Sequence, residues 1–164
     1  MQRLYSLAPI ETAQARLLLL GSMPSAASLT KQQYYGHPRN HFWPLVCAAL
    51  GEVDPVAYEA RAALLLACGI ALWDVIGSCL REGSLDKDIK EALPNDIPAF
   101  LRQHPFIHTV CFNGTLAKQM HDRHFHRQEG VRYLLLPSSS PVPRQIIRTM
   151  EDKLPAWLAI RDFI

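Results

Sequence analysis

Three short stretches of this sequence place small residues, hydroxyls and side-chain amides directly after apolar blocks: Gly21-Ser22-Met23-Pro24-Ser25, Asn113-Gly114-Thr115 and Pro137-Ser138-Ser139-Ser140-Pro141. Small residues let backbone N–H groups approach a ligand closely, and several such groups together favour negative charge. The connection over residues 22–39 carries Gln33, Tyr34, Tyr35, His37, Pro38 and Arg39. A connection of that length is usually functional or disordered, and the tyrosines, the proline and the Phe42-Trp43 block argue against disorder. Adjacent aromatic and amide side chains suit a flat heteroaromatic ligand, which they can stack on and hydrogen-bond at its edge. Asn40 ends this connection. It either caps the following helix or offers its amide to a ligand, and the two roles are compatible. Asn113 either closes a turn with Gly114 or faces a ligand.

These stretches act together only if the fold gathers them. Arg16 to Gly21, Ile70 to Val75, Phe106 to Phe112 and Val131 to Leu136 read as short apolar strands. Asn40 to Leu50, Val56 to Cys68, Ile97 to Gln103 and Thr115 to Arg123 read as helices, with Gly51 and Gly69 as stop signals. Gly77 to Pro94 is polar and reads as a long loop with a short helix. Pro143 to Phe163 holds one or two final helices, interrupted near Pro155. Strands separated by helices imply an α/β fold, here a three-layer sandwich with a central four-stranded parallel sheet and helices on both faces. Ligands in such folds sit at the carboxyl ends of the strands, where all three polar turns fall. Asp74, the acid near a strand end, reads first as a loop or helix cap and alternatively as a group titrating in the site.

The chain has 164 residues, 49% of them hydrophobic and 20% charged, which predicts one folded domain over residues 1–164 and excludes a disordered chain. No apolar run approaches the roughly 20 residues of a membrane span, and the N-terminus lacks a signal-peptide core. The expectation is a soluble cytoplasmic protein with no membrane partner. Cys47, Cys68, Cys79 and Cys111 have no C-x-x-C spacing and read as buried thiols, so no metal or other cofactor is expected. His121, His124 and His126 read as a solvated loop. Net charge is only +2, but it is unevenly spread. Residues 12–51 hold Arg16, Lys31 and Arg39 and no acid, and residues 130–150 hold Arg132, Arg144 and Arg148 and no acid. A face built from both stretches would suit a polyanion.

The string GSMPSAASLTKQQYYGHPRNHFW, residues 21–43, closely resembles motif 1 of the uracil-DNA glycosylase superfamily. Within it, the subgroup most resembled is the hypoxanthine- (deoxyinosine-) DNA glycosylases. FNG at 112–114 and LPSSSP at 136–141 fall where that superfamily has its base-contacting Asn strand and its DNA-intercalating motif 2. The resemblance implies a monofunctional DNA glycosylase of base excision repair, hydrolysing the N-glycosidic bond of hypoxanthine, with uracil and xanthine as further candidates. Its partner would be DNA containing deaminated bases, and a monomer is expected.

By the same resemblance Asn40 carries catalysis. Gly21, Ser22, Met23, Pro24, Ser25, Tyr35 and Asn113 would bind the base, with Tyr35 stacking on it. Lys31, Arg39, Ser138, Ser139, Ser140, Arg144 and Arg148 would contact DNA, the serines wedging into the gap left by the flipped nucleotide. Two positions depart from the uracil-specialised branches: Met23 stands where they carry an acid or amide, and Leu136 where the fastest have His. No lysine paired with an acid lies in these motifs, so a Schiff-base lyase step is not expected. The competing reading is a non-catalytic nucleic-acid- or nucleotide-binding module on the same scaffold.

Overall fold

The computed structural model describes residues 1–142 and 149–164. The chain begins with β1 (Arg3–Tyr5), β2 (Leu17–Gly21), α1 (Ala26–Lys31), α2 (Phe42–Leu50), α3 (Tyr58–Ala67) and β3 (Ile70–Asp74). It continues with β4 (Ile76–Leu80), β5 (Lys90–Pro94), α4 (Ile97–Gln103), β6 (Thr109–Asn113), α5 (Thr115–His124), β7 (Arg132–Leu136) and α6 (Met150–Trp157). Single 3-10 turns cover Asp86–Asp88 and Leu158–Phe163.

The four apolar blocks pair in the order β3-β2-β6-β7, all parallel. Side chains alternate across a strand, and β2 is buried on both faces. Leu17 and Leu19 join one core with Phe42, Leu45 and Val46 of α2, Leu65 of α3 and Trp157 of α6. Leu18 and Leu20 join a second core with Phe100 of α4 and Met120 of α5. Helices therefore cover both faces, as the strand–helix alternation predicts. Element bounds differ from the expected ones by one to three residues. Among the described residues, no helix is long and apolar enough to cross a membrane.

Residues 76–94 differ more. Instead of a long loop, β4 and β5 form an antiparallel sheet with β1, ordered β1-β4-β5. Its strands are too polar to read as strands locally. β4 lies between the other two: Arg3 of the remote β1 pairs with Leu80, its guanidinium donating to Ser78 Oγ and the Glu91 carbonyl, and β5 pairs along the other side of β4. Pro155 does not interrupt α6. It forfeits only the bond to the Glu151 carbonyl, and Glu151 is exposed in the first turn, where water can replace the lost donor. The helix changes to 3-10 only at Leu158. The expected helix over 143–148 lies outside the described residues.

His121 and His124 belong to α5 rather than to a solvated loop, and His121 is buried against Phe112, Phe125 and Tyr133. The cysteines are free thiols, buried at 47, 79 and 111 and half-buried at 68. Burial pushes the Cys47 thiol up to about 11 and the Cys111 thiol to about 12, which keeps both protonated and unreactive.

Leu19, fully buried in the central strand, should be among the most costly positions to truncate. Leu19→Ala is expected to lower stability by about 2–5 kcal/mol. Urea denaturation should show a lower midpoint with an unchanged slope.

Candidate active site

The parallel register sets the geometry of the site. Gly21 pairs with Asp74, Leu20 pairs with Phe112, and Asn113 pairs with Leu136. Asp74, Gly21, Asn113 and Leu136 thus form one row across the carboxyl edge, on the face that carries α2. Gly21 is required there by close approach. A Cβ on it would come 2.5 Å from Asp74 Oδ1 and 2.7 Å from the Tyr35 hydroxyl. Any side chain would push apart the acid and the tyrosine that converge over it.

The turn after β2 is held through its carbonyls. Gly21 and Ser22 accept from the Val75 and Ile76 N–H groups, and Pro24 accepts from Nη2 of the buried Arg81. Ser25 caps α1 by accepting the Ser28 N–H. Among the described residues, the N–H groups of Ser22, Met23 and Ser25 meet no acceptor. This is the arrangement expected of a turn that presents amides to a ligand. Met23 is buried in the second core, and Ser22 Oγ donates to Asp86.

Tyr35 sits over this row. Its ring stacks on Phe42 at 4.0 Å between centroids, and its hydroxyl accepts from Asn113 Nδ2 at 3.0 Å. Its backbone is left-handed at φ 53, which costs about 1 kcal/mol or more for a residue with a side chain. Phe42 and Asn113 hold it there. One ring face is thereby taken by Phe42, so a base can stack only on the other. Phe42 and Trp43 are core residues, as their apolar setting predicts.

Asn113 and Ser139 are arranged differently from expectation. Both amide hydrogens of Asn113 are used, one on Tyr35 and one on Ser139 Oγ, and its Oδ1 accepts the Ser139 N–H at 2.8 Å. The side chain expected to serve the base instead ties the 137–141 loop to β6. Ser139 is 1% exposed, and its carbonyl accepts the His41 N–H. Ser139 thus tethers β6 to α2. Ser138 and Ser140 remain half-buried at the edge. Gly114, at φ +94, lets Ser138 pack within 3.0 Å of where its own Cβ would be.

Asn40 stands beside this tether. Its Oδ1 accepts the Phe42 N–H at 2.9 Å, which closes the start of α2 from one residue before the flanking His41. Asn40 is half-buried, and the cap uses its side-chain oxygen and not its amide nitrogen. Two supporting residues escaped the sequence reading. Lys153 is buried in α6, and its Nζ donates to the Ser140 carbonyl at 2.9 Å and to His41 Nδ1 at 3.0 Å. Burial and the Lys153 charge both lower the His41 pKa, so its ring stays neutral and accepts. A lone lysine in an amphipathic helix carries no signal of such a role. Arg81 was equally silent in sequence.

Asp74 is not the expected cap. It is 3% exposed, and its Oδ2 has no hydrogen-bond partner among the described residues. Burial pushes its carboxyl up to about 7, with the Asp86 charge adding to the rise and Arg81 opposing it. Of the expected phosphate contacts, Lys31 and Arg39 are exposed near the turn, with Lys31 Nζ donating to the Gly36 carbonyl. Arg144 and Arg148 lie outside the described residues. Arg16 and Arg132 flank the starts of β2 and β7, at the opposite edge of the sheet, so these two do not share the edge that carries the polar turns. Two surface clefts also open at that opposite edge, one around Arg16, Gly69 and His108, the other around Thr109 and Phe163. The strand ends that carry polar turns are elsewhere, and chemistry rather than concavity marks the site.

Known proteins are similar to this chain in sequence and fold. The family model of the uracil DNA glycosylase superfamily matches residues 9–163. A hypoxanthine DNA glycosylase of Methanosarcina acetivorans is 39% identical over 145 residues, 88% of this chain and 89% of that protein. A hypoxanthine DNA glycosylase of Methanosarcina barkeri is 33% identical over 150 residues, 91% of this chain and 92% of its own. The solution NMR structure of a candidate uracil DNA glycosylase from Methanosarcina acetivorans superposes with a TM-score of 0.81 at 33% identity, covering 98% of this chain and 99% of that one.

The raised Asp74 carboxyl makes stability depend on pH in a defined direction. Between about pH 4, where the unfolded carboxyl ionises, and about 7, the folded state holds a proton that the unfolded state releases. Stability conferred by this group is full below that window and lost as pH rises through it. Asp74→Asn removes the titration. Relative to wild type, its stability should rise by about 2–4 kcal/mol between about pH 4 and pH 8. Urea denaturation across that range reads the difference, and a constant gap would mean that Asp74 is ionised throughout.

Proposed function

The chain belongs to the uracil DNA glycosylase superfamily, and we propose from that membership that it is a monofunctional DNA glycosylase. It removes deaminated bases, hypoxanthine first, with uracil and xanthine as further substrates. The observation that carries this reading is the coincidence of the turn amides of residues 22–25, the Asn40 side chain and the 137–141 loop at one edge of the sheet. The protein acts as a single domain over residues 1–164 and, on this reading, as a cytoplasmic monomer.

Breaking an N-glycosidic bond needs donors where charge develops on the base and a water held against the sugar carbon. A base inside a duplex must first leave the stack, at a cost of a few kcal/mol. The amides of Ser22, Met23 and Ser25 meet the flipped base, with Gly21 and Pro24 shaping the turn and the free face of Tyr35 stacking on it. Asn40 directs the water through its amide nitrogen, while its oxygen stays on the α2 backbone. Asn113 contributes by holding Ser139 and Tyr35 in place. Ser138 and Ser140 occupy the gap left by the nucleotide. Lys31 and Arg39, together with Arg144 and Arg148, neutralise phosphates. A binding module alone would not need Asn40, and that difference is testable.

Asn40→Ala should slow base release from an inosine duplex by about 100-fold or more under single turnover. DNA affinity should hardly change, because phosphate contacts dominate it. Asn40→Asp still orients water but repels a base leaving with negative charge, so it should also be slow. Equal rates for all three proteins would reduce Asn40 to a helix cap. Binding that survives without base release in the wild type would favour the binding-module reading.

Lys31→Ala with Arg39→Ala should flatten the salt dependence of duplex binding by about two units of log–log slope. An unchanged slope would place the phosphate path elsewhere.

A further inference from the structure

One polar side chain in the row across the sheet edge has no task in the account above. Leu136 is apolar, Gly21 has no side chain, and Asn113 is fully engaged with Tyr35 and Ser139. Asp74 alone keeps a buried oxygen, Oδ2, without a partner among the described residues. Leaving such an atom unsatisfied is costly, so its retention calls for an explanation. Its surroundings point to a ligand. Asp74 lies at the carboxyl end of its strand, beside the turn whose amides meet no acceptor, and its Oδ1 packs directly on Gly21, 2.5 Å from where a Cβ there would sit.

We propose that Asp74 is the acid of the reaction, giving its carboxyl proton to the base as the base departs. This rests on the glycosylase reading and adds the group that neutralises the leaving base. The bond from C1′ to the purine N9 breaks, and its electron pair passes to the purine ring. The Asp74 proton bonds to a ring nitrogen of that purine, which leaves as neutral hypoxanthine. The water held by Asn40 adds its oxygen to C1′ and releases one proton to solvent. The Asp74 carboxylate then takes a proton back from solvent. Met23 and Leu136 have no proton to give, and the hydroxyls of Ser22 and Ser25 are far weaker acids than a carboxyl, which leaves Asp74 as the acid of the row and its turn.

The groups facing Asp74 allow it to hold that proton. Tyr34 and Tyr35 approach from the 22–39 connection, Arg81 from the end of β4 and Asp86 from the 3-10 turn. Burial raises both tyrosines, so they stay neutral. Asp86 and Arg81 act in opposite directions, and burial decides the outcome, at about 7. An acid titrating near the working pH is the most effective proton donor.

The test is single-turnover release of hypoxanthine from a duplex with one deoxyinosine, followed from about pH 5.5 to pH 9. The wild-type rate should fall about tenfold per pH unit above about 7. Asp74→Asn should be about 100-fold slower or more at about pH 6, and flat with pH over the same range. A slow variant that keeps the wild-type profile would mean a purely structural role and overturn the proposal, as would an unimpaired variant. If the variant does not fold, the carboxyl carbon-13 shift of Asp74 in the wild type decides. A midpoint near 7 supports the proposal, and one below about 5 overturns it. A wild type that releases no base from any deaminated duplex fails at the earlier step and removes the glycosylase reading itself.

Discussion

In β2, Leu17 and Leu19 pack beneath α2 while Leu18 and Leu20 pack beneath α4 and α5, so the strand is clamped from both sides. Because side chains alternate, a slip of one residue would send every one of them to the wrong core. The clamp therefore fixes the register with β3 and β6, and the register puts Gly21 between Asp74 and Asn113. None of these three residues is positioned by its own local sequence. Each inherits its place from apolar neighbours one or two positions back, which have no chemistry of their own.

A second layer of order comes from Ser139, whose three polar groups all bond to other elements. Asn113 binds its amide and hydroxyl, and His41 binds its carbonyl. One buried serine thus joins the end of β6, the loop after β7 and the start of α2. Lys153 adds a fourth element by reaching Ser140 and His41 from α6. Burying an ammonium is expensive unless its protons are accepted, and the Ser140 carbonyl and the neutral His41 imidazole each accept one.

The parallel sheet was legible because each strand is a short apolar block ended by turn residues, a signal local to about six residues. The antiparallel sheet was not, since Ile76–Leu80 is paired on one side by the remote N-terminal strand and on the other by the polar Lys90–Pro94, which has no apolar block of its own. The same division runs through the site. The turn at 21–25 and Asn40 show themselves by residue type. Ser138-Ser139-Ser140 reads as one uniform polar loop, yet the middle serine is buried and the outer two are not. That distinction depends on Asn113, which no local pattern links to the loop. Asp74 was visible as a strand-end acid, but its dryness comes from Tyr34, Tyr35 and the packing of the edge, and so did not show.

The strand order β3-β2-β6-β7 also carries a history. During synthesis β2 leaves the ribosome before both of its neighbours, which begin only at Ile70 and Thr109. A run of four leucines with open hydrogen-bonding edges on both sides waits for roughly ninety further residues before it is enclosed. Ser139 and Lys153, which lock the edge, emerge later still. The nascent chain is thus most prone to unwanted strand pairing at the segment that ends as the best-protected part of the molecule. The reactive edge is the last part to take shape, so a truncated product would carry the core strand without the means to process DNA.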